Sequence, residues 1–373
     1  MLIVSRGDME EVREIRTVCD TQIIIGKDLG NMLADKLKEV SKEGAICIVY
    51  DKNLKEIATA CAESLRTLGR RIFLRAVDKT IKDSLEVPDF IRYVFAVGCG
   101  YAAYCADKIA RALNVGWSIF LTAPTTDTIL QGKSPNHVFI DANIIDKCPN
   151  VCVASGYGAL CAQGLHAFEN VFSANVLSKK AGDEIYLETL PTSVDAVSIA
   201  VKLLETSAFK THDDSADIMA KILYLKALKE CKKPRHLGEY KFVSASLLFA
   251  FYKELLGAPA IDTLLPAARE REREGLENIG YPLANSVKNI DFFDANGYFR
   301  ISYILGEYRM DLLDKLESAN LRSVSRTWRR IYEDAGFWLK SELTTDDMLF
   351  AMRLAGYLSD NLLGYAYAIG MLK

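Results

Sequence analysis

Over the first 150 residues, short apolar runs rich in β-branched side chains alternate with stretches of helical period. The runs fall at 21–25, 45–50, 71–77, 93–97, 118–121 and 137–140, and helix-period segments at 28–40, 54–68 and 101–113 separate the earlier ones. Strand–helix–strand alternation with continuously apolar strands predicts a parallel sheet buried on both faces. In such a sheet the crossovers are right-handed and ligands lie beyond the carboxyl ends of the strands. After Asp141 the strand pattern stops. Pro149 and the Ser155-Gly156-Tyr157-Gly158 stretch read as a hinge. Beyond it the pattern is helical, at 160–177, 194–206, 215–229, 241–256, 266–274, 304–316, 325–334 and 345–358. Thr344-Thr345-Asp346-Asp347 has the form of a helix N-cap with acids in the first turn. The expectation is an α/β domain over 1–155 followed by an all-helical domain over 156–373.

Composition narrows the class. The 373 residues are half apolar, which excludes a disordered chain, and their number suggests two domains. Lys and Arg number 46 against 49 Asp and Glu, a net charge of −3 that argues against a nucleic-acid binder. Nine cysteines, an odd number, sit mostly among apolar neighbours such as Ala45-Ile46-Cys47-Ile48-Val49, the usage of a reducing compartment. No CxxC occurs, and Cys148 and Cys152, four apart across Pro149, are a poor metal pair. The amino terminus lacks the pattern of a signal peptide, and no apolar run is long enough to span a bilayer. The chain reads as soluble and cytoplasmic, with no membrane partner.

Four segments carry candidate chemistry. In Val97-Gly98-Cys99-Gly100-Tyr101 a buried strand runs into two glycines and then a helix. Glycines let backbone N–H groups approach a phosphate, and the helix N-terminus adds a favourable dipole. A tight strand–helix turn explains the same residues equally well. Asp51 ends the strand at 45–50, where an acid can take the hydroxyls of an adenosine ribose and repel a 2′-phosphate. It can also simply start a helix. In Ala123-Pro124-Thr125-Thr126-Asp127, hydroxyls and a carboxylate follow a fixed turn; the plain reading is a polar loop. Lys232-Lys233-Pro234-Arg235-His236-Leu237-Gly238-Glu239 is cationic and holds one of four histidines, and it also reads as a solvated interhelical loop.

The order of these motifs, followed by Asn136-His137-Val138-Phe139-Ile140-Asp141, Ala154-Ser155-Gly156-Tyr157-Gly158 and Ala227-Leu228-Lys229-Glu230-Cys231, resembles the iron-type alcohol dehydrogenase superfamily. That group includes glycerol and glycerol-1-phosphate dehydrogenases and shares its fold with dehydroquinate synthase. The resemblance runs from about residue 20 to about residue 250, and its specificity lies in order and spacing. It implies a Rossmann-like domain, a helical domain and an active site in the cleft between them. It implies NAD, with the pyrophosphate at Gly98, Cys99, Gly100 and Tyr101, the ribose at Asp51 and the nicotinamide near Thr125 and Thr126. It also implies a divalent metal on three side chains. Their positions map to Ala159, Met219 and His236, so one ligand of three survives; Asp217 reaches the second position only if the register slips.

Without that metal another group must take the substrate proton. His236 is the candidate base, because its ordinary pKa lies near neutrality. Asp127 is the candidate substrate-binding acid, and Lys133 could lend electrostatic help. Three readings follow: an NAD-linked oxidoreductase on a small polyol or polyol phosphate, a non-catalytic homologue that keeps the fold, and a sugar-phosphate cyclase of the dehydroquinate synthase kind. The tail Gly364-Tyr365-Ala366-Tyr367-Ala368 is expected to pack into the core or into a homo-oligomer interface.

Overall fold

The computed structural model describes residues 13–16, 21–40, 44–78, 87–125, 133–177, 195–207, 214–230, 235–257, 269–282, 295–318, 343–368 and 371–372. The chain divides into two compact units, one of residues 1–156 and 193–211, the other of 157–192 and 212–373. The first unit is α/β and the second is helical.

A seven-stranded sheet organises the first unit. Its strands are β1 (Arg13–Arg16), β2 (Gln22–Gly26), β3 (Ala45–Asp51), β4 (Ile72–Val77), β5 (Ile91–Gly98), β6 (Gly116–Leu121) and β7 (His137–Asp141), in the spatial order β1-β2-β7-β6-β5-β3-β4. All pairings are parallel except β1 with β2. The helices are α1 (Leu33–Val40), α2 (Lys55–Arg66), α3 (Tyr101–Ala112), α4 (Ala142–Ile145), α5 (Asn150–Leu177) and α6 (Ala196–Ser207).

Strand β3 shows why its sequence is apolar without interruption. Ala45, Cys47 and Val49 point to one face of the sheet, into a cluster with Ala102, Ala106 and Ile109 of α3 and Val197, Ala200 and Leu204 of α6. Ile46, Ile48 and Tyr50 point to the other, into a cluster with Leu33 and Leu37 of α1 and Ala58, Cys61 and Leu65 of α2. Side chains alternate between faces, so a strand covered on both sides needs an apolar residue at every position. Strand β4 departs from that expectation. It lies at the sheet edge, and Phe73 and Leu74 are exposed, with Phe73 resting on the ring of Phe90.

Two expectations about the chain's division need correction. The hinge expected at Pro149 and 155–158 is absent; residues 150–177 form the single helix α5. Proline is tolerated just ahead of a helix, and the small residues that suggested flexibility instead permit close packing. A Cβ on Gly156 would lie 1.9 Å from the carbonyl oxygen of Pro124. The expected boundary at 155/156 also leaves out α6, which returns to the first unit because its apolar face completes the sheet core.

The second unit comprises the later part of α5 with α7 (Ser215–Lys229), α8 (Leu237–Gly257), α9 (Arg269–Asn278), α10 (Ala295–Ser318), α11 (Thr345–Leu358) and α12 (Leu362–Ala368). Helix α12 was not foreseen as a helix, although its Tyr365 and Ala366 are buried as expected of the tail. The segment 325–334 lies outside the described residues. Thr344 forms the expected cap: its hydroxyl accepts from the Asp347 N–H at 3.1 Å, and the Asp347 carboxylate accepts the Thr344 N–H at 2.9 Å. Burial works against the Asp347 charge, but bonds from Lys226 and Thr344 outweigh it and hold the carboxyl down at about 2.

Inside this unit a buried polar network joins α5, α7, α8 and the segment after α11. Asp214 caps α7 by accepting the Asp217 N–H at 2.7 Å. The Glu169 carboxyl accepts the Ser215 N–H at 3.2 Å and the hydroxyl of Tyr252. Ser215 is bonded in turn to Asn361, whose amide donates to its hydroxyl at 2.8 Å. His166 stands 3.7 Å from Asp214 and 3.1 Å from the Asn170 amide. Burial, followed by the nearby Asp214 charge, raises the Glu169 pKa from 4.5 to about 8, while the Tyr252 and Ser215 bonds oppose the shift.

Two predictions follow from this packing. Gly156→Ala pushes α5 off the Pro124 turn and lowers the thermal unfolding midpoint, by a cost of about 1–3 kcal/mol typical of overpacking. Calorimetry against the wild type checks it, and an unchanged midpoint contradicts the close approach. Glu169 keeps its proton in the folded state between pH 4.5 and about 8 and loses it in the unfolded state. Its contribution to stability is therefore complete below pH 4.5, declines as pH rises toward 8, and is flat above. A pH series of denaturant midpoints should show this decline in the wild type and a flatter profile in Glu169→Gln.

Candidate functional site

The carboxyl ends of three neighbouring strands form the candidate site in the first unit. Tyr50 is paired with Val97, so Asp51 and Gly98 leave the sheet side by side; Gly98 is paired with Leu121, which leads into the Pro124 turn. The chain then diverges. From β3 it passes through α2 on one face to β4; from β5 it passes through α3 on the opposite face to β6. Strand order reverses here, and a crevice opens between the two loops, the usual ligand position in an open parallel sheet.

Glycine is required at both ends of the turn. Gly98 has φ +135° and Gly100 φ +49°, in the region where side chains are strained. A Cβ on Gly98 would meet Ala102 at 3.2 Å, Leu54 at 3.3 Å and the Asp51 Cβ at 3.9 Å, which places the acid against the turn. Gly100 is the residue that precedes α3 and supplies no side-chain cap. Its carbonyl accepts the Tyr104 N–H at 3.0 Å, and that of Cys99 accepts the Ala102 N–H at 3.2 Å. The Cys99 thiol is bonded to the Thr125 side chain; burial raises its pKa, and this bond opposes the rise. A thiol held neutral is a packing group between two turns rather than a nucleophile.

Asp51 starts the next turn, the plainer of its two readings. Its Oδ1 accepts the Asn53 N–H at 2.9 Å and the Asn53 amide at 3.0 Å, capping the short turn that leads into α2. Among the described residues no donor reaches its Oδ2. Tyr101 begins α3 and its ring stacks on Tyr104 at 6.1 Å. Asp51, Gly98, Cys99, Gly100, Tyr101 and Thr125 are thus brought together, while Thr126 and Asp127 lie outside the described residues.

The structure does not bring Lys133 to this group. Its ammonium donates to the Val115 carbonyl at 2.7 Å, its N–H to Asp107 at 2.9 Å, and its carbonyl accepts the Trp117 indole N–H at 2.5 Å. Val115 and Trp117 bracket the start of β6, so Lys133 fastens the amino end of the sheet, opposite the glycine turn. His236 belongs to the second unit and immediately precedes α8. Its N–H donates to the Glu239 carboxylate at 3.1 Å, half of a capping box, and the residue as a whole is exposed. The Glu239 position in that box is legible from the spacing to His236 and was not used in the sequence reading.

The second unit's donor set was tested against a divalent metal. Of the three mapped positions, Ala159 has no donor atom and Met219 is fully buried among apolar residues with only a thioether. Asp217, the alternative for the second position, is 2.8 Å from the ammonium of Lys241, and both are buried. Among the described residues there is no group of three His, Cys, Asp or Glu side chains able to hold an ion. A catalytic zinc takes three protein ligands plus an open position. Among the described residues the mapped positions do not supply such a set.

With that geometry in hand, the class is defined by the fold: an α/β unit with a glycine-lined switch point and a helical unit. The chain is similar to an archaeal halo-thermophilic alcohol dehydrogenase from a Red Sea brine pool, at 13% identity over 96% of this chain and 94% of that one, with a TM-score of 0.50. It is also similar to glycerol dehydrogenase from Schizosaccharomyces pombe (14% identity, 91% and 97% covered, TM-score 0.49) and to 2-deoxy-scyllo-inosose synthase complexed with carbaglucose-6-phosphate, NAD+ and Co2+ (14% identity, 79% and 87% covered, TM-score 0.45). No protein-family model and no curated protein matches the sequence. The likeness at TM-score 0.50 shows the fold alone. No helix among the described residues is long and apolar enough to cross a membrane.

Proposed function

We propose that this chain is an NAD-linked oxidoreductase that acts on a small polyol or polyol phosphate without the metal triad of its superfamily. One observation carries the reading: the strained Gly98-Cys99-Gly100 turn meets Asp51 where the strand order reverses. The glycine backbone and the open N-terminus of α3 suit a pyrophosphate, and the open Oδ2 of Asp51 suits a ribose diol. Thr125, bonded to Cys99, borders the same turn and supplies a hydroxyl beside the nicotinamide end. Bound there, NAD would accept the hydride released when the substrate carbinol becomes a carbonyl.

That conversion also releases a proton, and His236 is the group we assign to take it. An imidazole near neutrality can accept a proton and return it to water. Glu239 fixes the backbone of His236 at the start of α8, and the residue is exposed. Asp127 remains our candidate for holding a substrate hydroxyl. Lys133 is withdrawn from the chemistry, since its ammonium is committed to the Val115 carbonyl. No disulfide joins the described cysteines, which supports a cytoplasmic reading.

A second reading, nucleotide binding without turnover, is favoured by the Asp217–Lys241 pair, which engages the acid nearest the second mapped ligand position. Thermal unfolding with NAD+, with zinc or ferrous ion, and with both separates the readings. A ligand at a hundred times its Kd adds about 2.7 kcal/mol to a folded state that alone binds it. We expect NAD+ to raise the midpoint, metal to add nothing, and Gly98→Val to abolish the NAD+ shift. Turnover of a polyol panel that falls about 100-fold or more in His236→Ala, with the NAD+ shift intact, identifies the base. Unchanged turnover removes His236 from that role, and an NAD+ shift without turnover by the wild type selects the second reading.

A further inference from the structure

The rim beside the glycine turn carries one more charged group that the dinucleotide reading leaves unused. Strands β3 and β4 end level with each other: Asp51 is paired with Val77, and Asp78 follows directly. Lys52, the residue after Asp51, turns away from the crevice and its ammonium is held by the Asp78 carboxylate. The ammonium side chain is 56% exposed and the Asp78 side chain 12%. Asp51 lies against the turn, and its Oδ1 is spent on Asn53.

We propose that Asp78 is a positioning residue that sets nucleotide selectivity, by keeping the ammonium of Lys52 away from the ribose corner of the site. The inference rests on the dinucleotide reading and deepens it. An unmodified ribose needs only an acceptor for its hydroxyls, which Asp51 provides. A ribose 2′-phosphate brings close to two negative charges and needs a cation with free N–H donors. Lys52 is the cation adjacent in sequence to Asp51, and it feels the charge of both acids. Paired with Asp78, its charge is neutralised on the β4 side, and the rim presents two carboxylates to an approaching phosphate. Selectivity against the phosphorylated nucleotide thus has two parts, repulsion by Asp51 and withdrawal of Lys52 by Asp78. Discrimination built from a repulsive element as well as an attractive one is the usual form of specificity.

The test is a set of Kd measurements for NAD+ and NADP+ by calorimetry on the full chain. The wild type should bind NAD+ and bind NADP+ at least about tenfold more weakly. Asp78→Asn should tighten NADP+ by about tenfold and change NAD+ by less than about twofold, because it frees the ammonium and removes one negative charge. Adding Lys52→Ala to that variant should abolish the gain, and Lys52→Ala alone should leave the NADP+ affinity of the wild type unchanged. The pair joins an exposed ammonium to a largely buried carboxylate, so each Kd is measured on variant protein that circular dichroism shows to be folded. An unaltered NADP+ affinity in Asp78→Asn, with NAD+ still bound, overturns the inference and leaves the dinucleotide reading standing. A gain that survives in the double variant overturns it too, since charge removal alone then explains the change. A wild type that binds neither nucleotide removes the dinucleotide reading and this inference with it.

Discussion

The constraint on which the first unit depends is that every inner strand must bury both of its faces. In β3 alternate residues enter opposite cores, so the chain that leaves its end must choose a side. It takes α2 on one face, whereas the neighbouring β5 sends α3 to the other. Two adjacent strands whose continuations diverge cannot close over their own ends. The crevice is a by-product of covering the sheet, and the glycines and the acid are what the sequence places at its mouth. Gly98 tolerates a backbone angle that other residues resist, and Asp51 both ends its strand and caps the next turn.

How much of this the sequence discloses depends on whether the determinant is local. The central strands are legible because a run such as Ile46 to Val49 has no amphipathic alternative, and the capping pattern at Thr344 is legible because its partner is three residues away. Strand β4 has a similar composition, yet it lies at the edge, and strand order is not written in any window of sequence. The misread hinge has the same origin. Glycine signals flexibility when considered alone, but at Gly156 it signals an approaching backbone, here the Pro124 carbonyl some thirty residues earlier in the chain. Lys133 was misassigned for want of its partners, Asp107, Val115 and Trp117, which only the fold assembles.

The helical unit stores its charge in pairs and networks rather than at an open ligand set. Asp217 faces Lys241, Glu272 faces Arg353 at 2.9 Å, and Glu169 sits among hydroxyl and amide donors. Burying a lone charge is prohibitive, so each acid is matched by a cation, a proton or several hydrogen bonds. Such arrangements hold helices in register. They also leave no cluster of unengaged donors among the described residues that a divalent cation could adopt.

Helix α5 belongs to both units, since the division falls between Gly156 and Tyr157, inside its 28 residues. Helix α6 then returns to the first unit after an excursion through the second. Neither half is a contiguous cassette. A gene fragment that ends at the apparent border truncates one rod and omits another, so the two halves cannot be exchanged between relatives by a single crossover. Recombination among chains of this topology must act at several points at once.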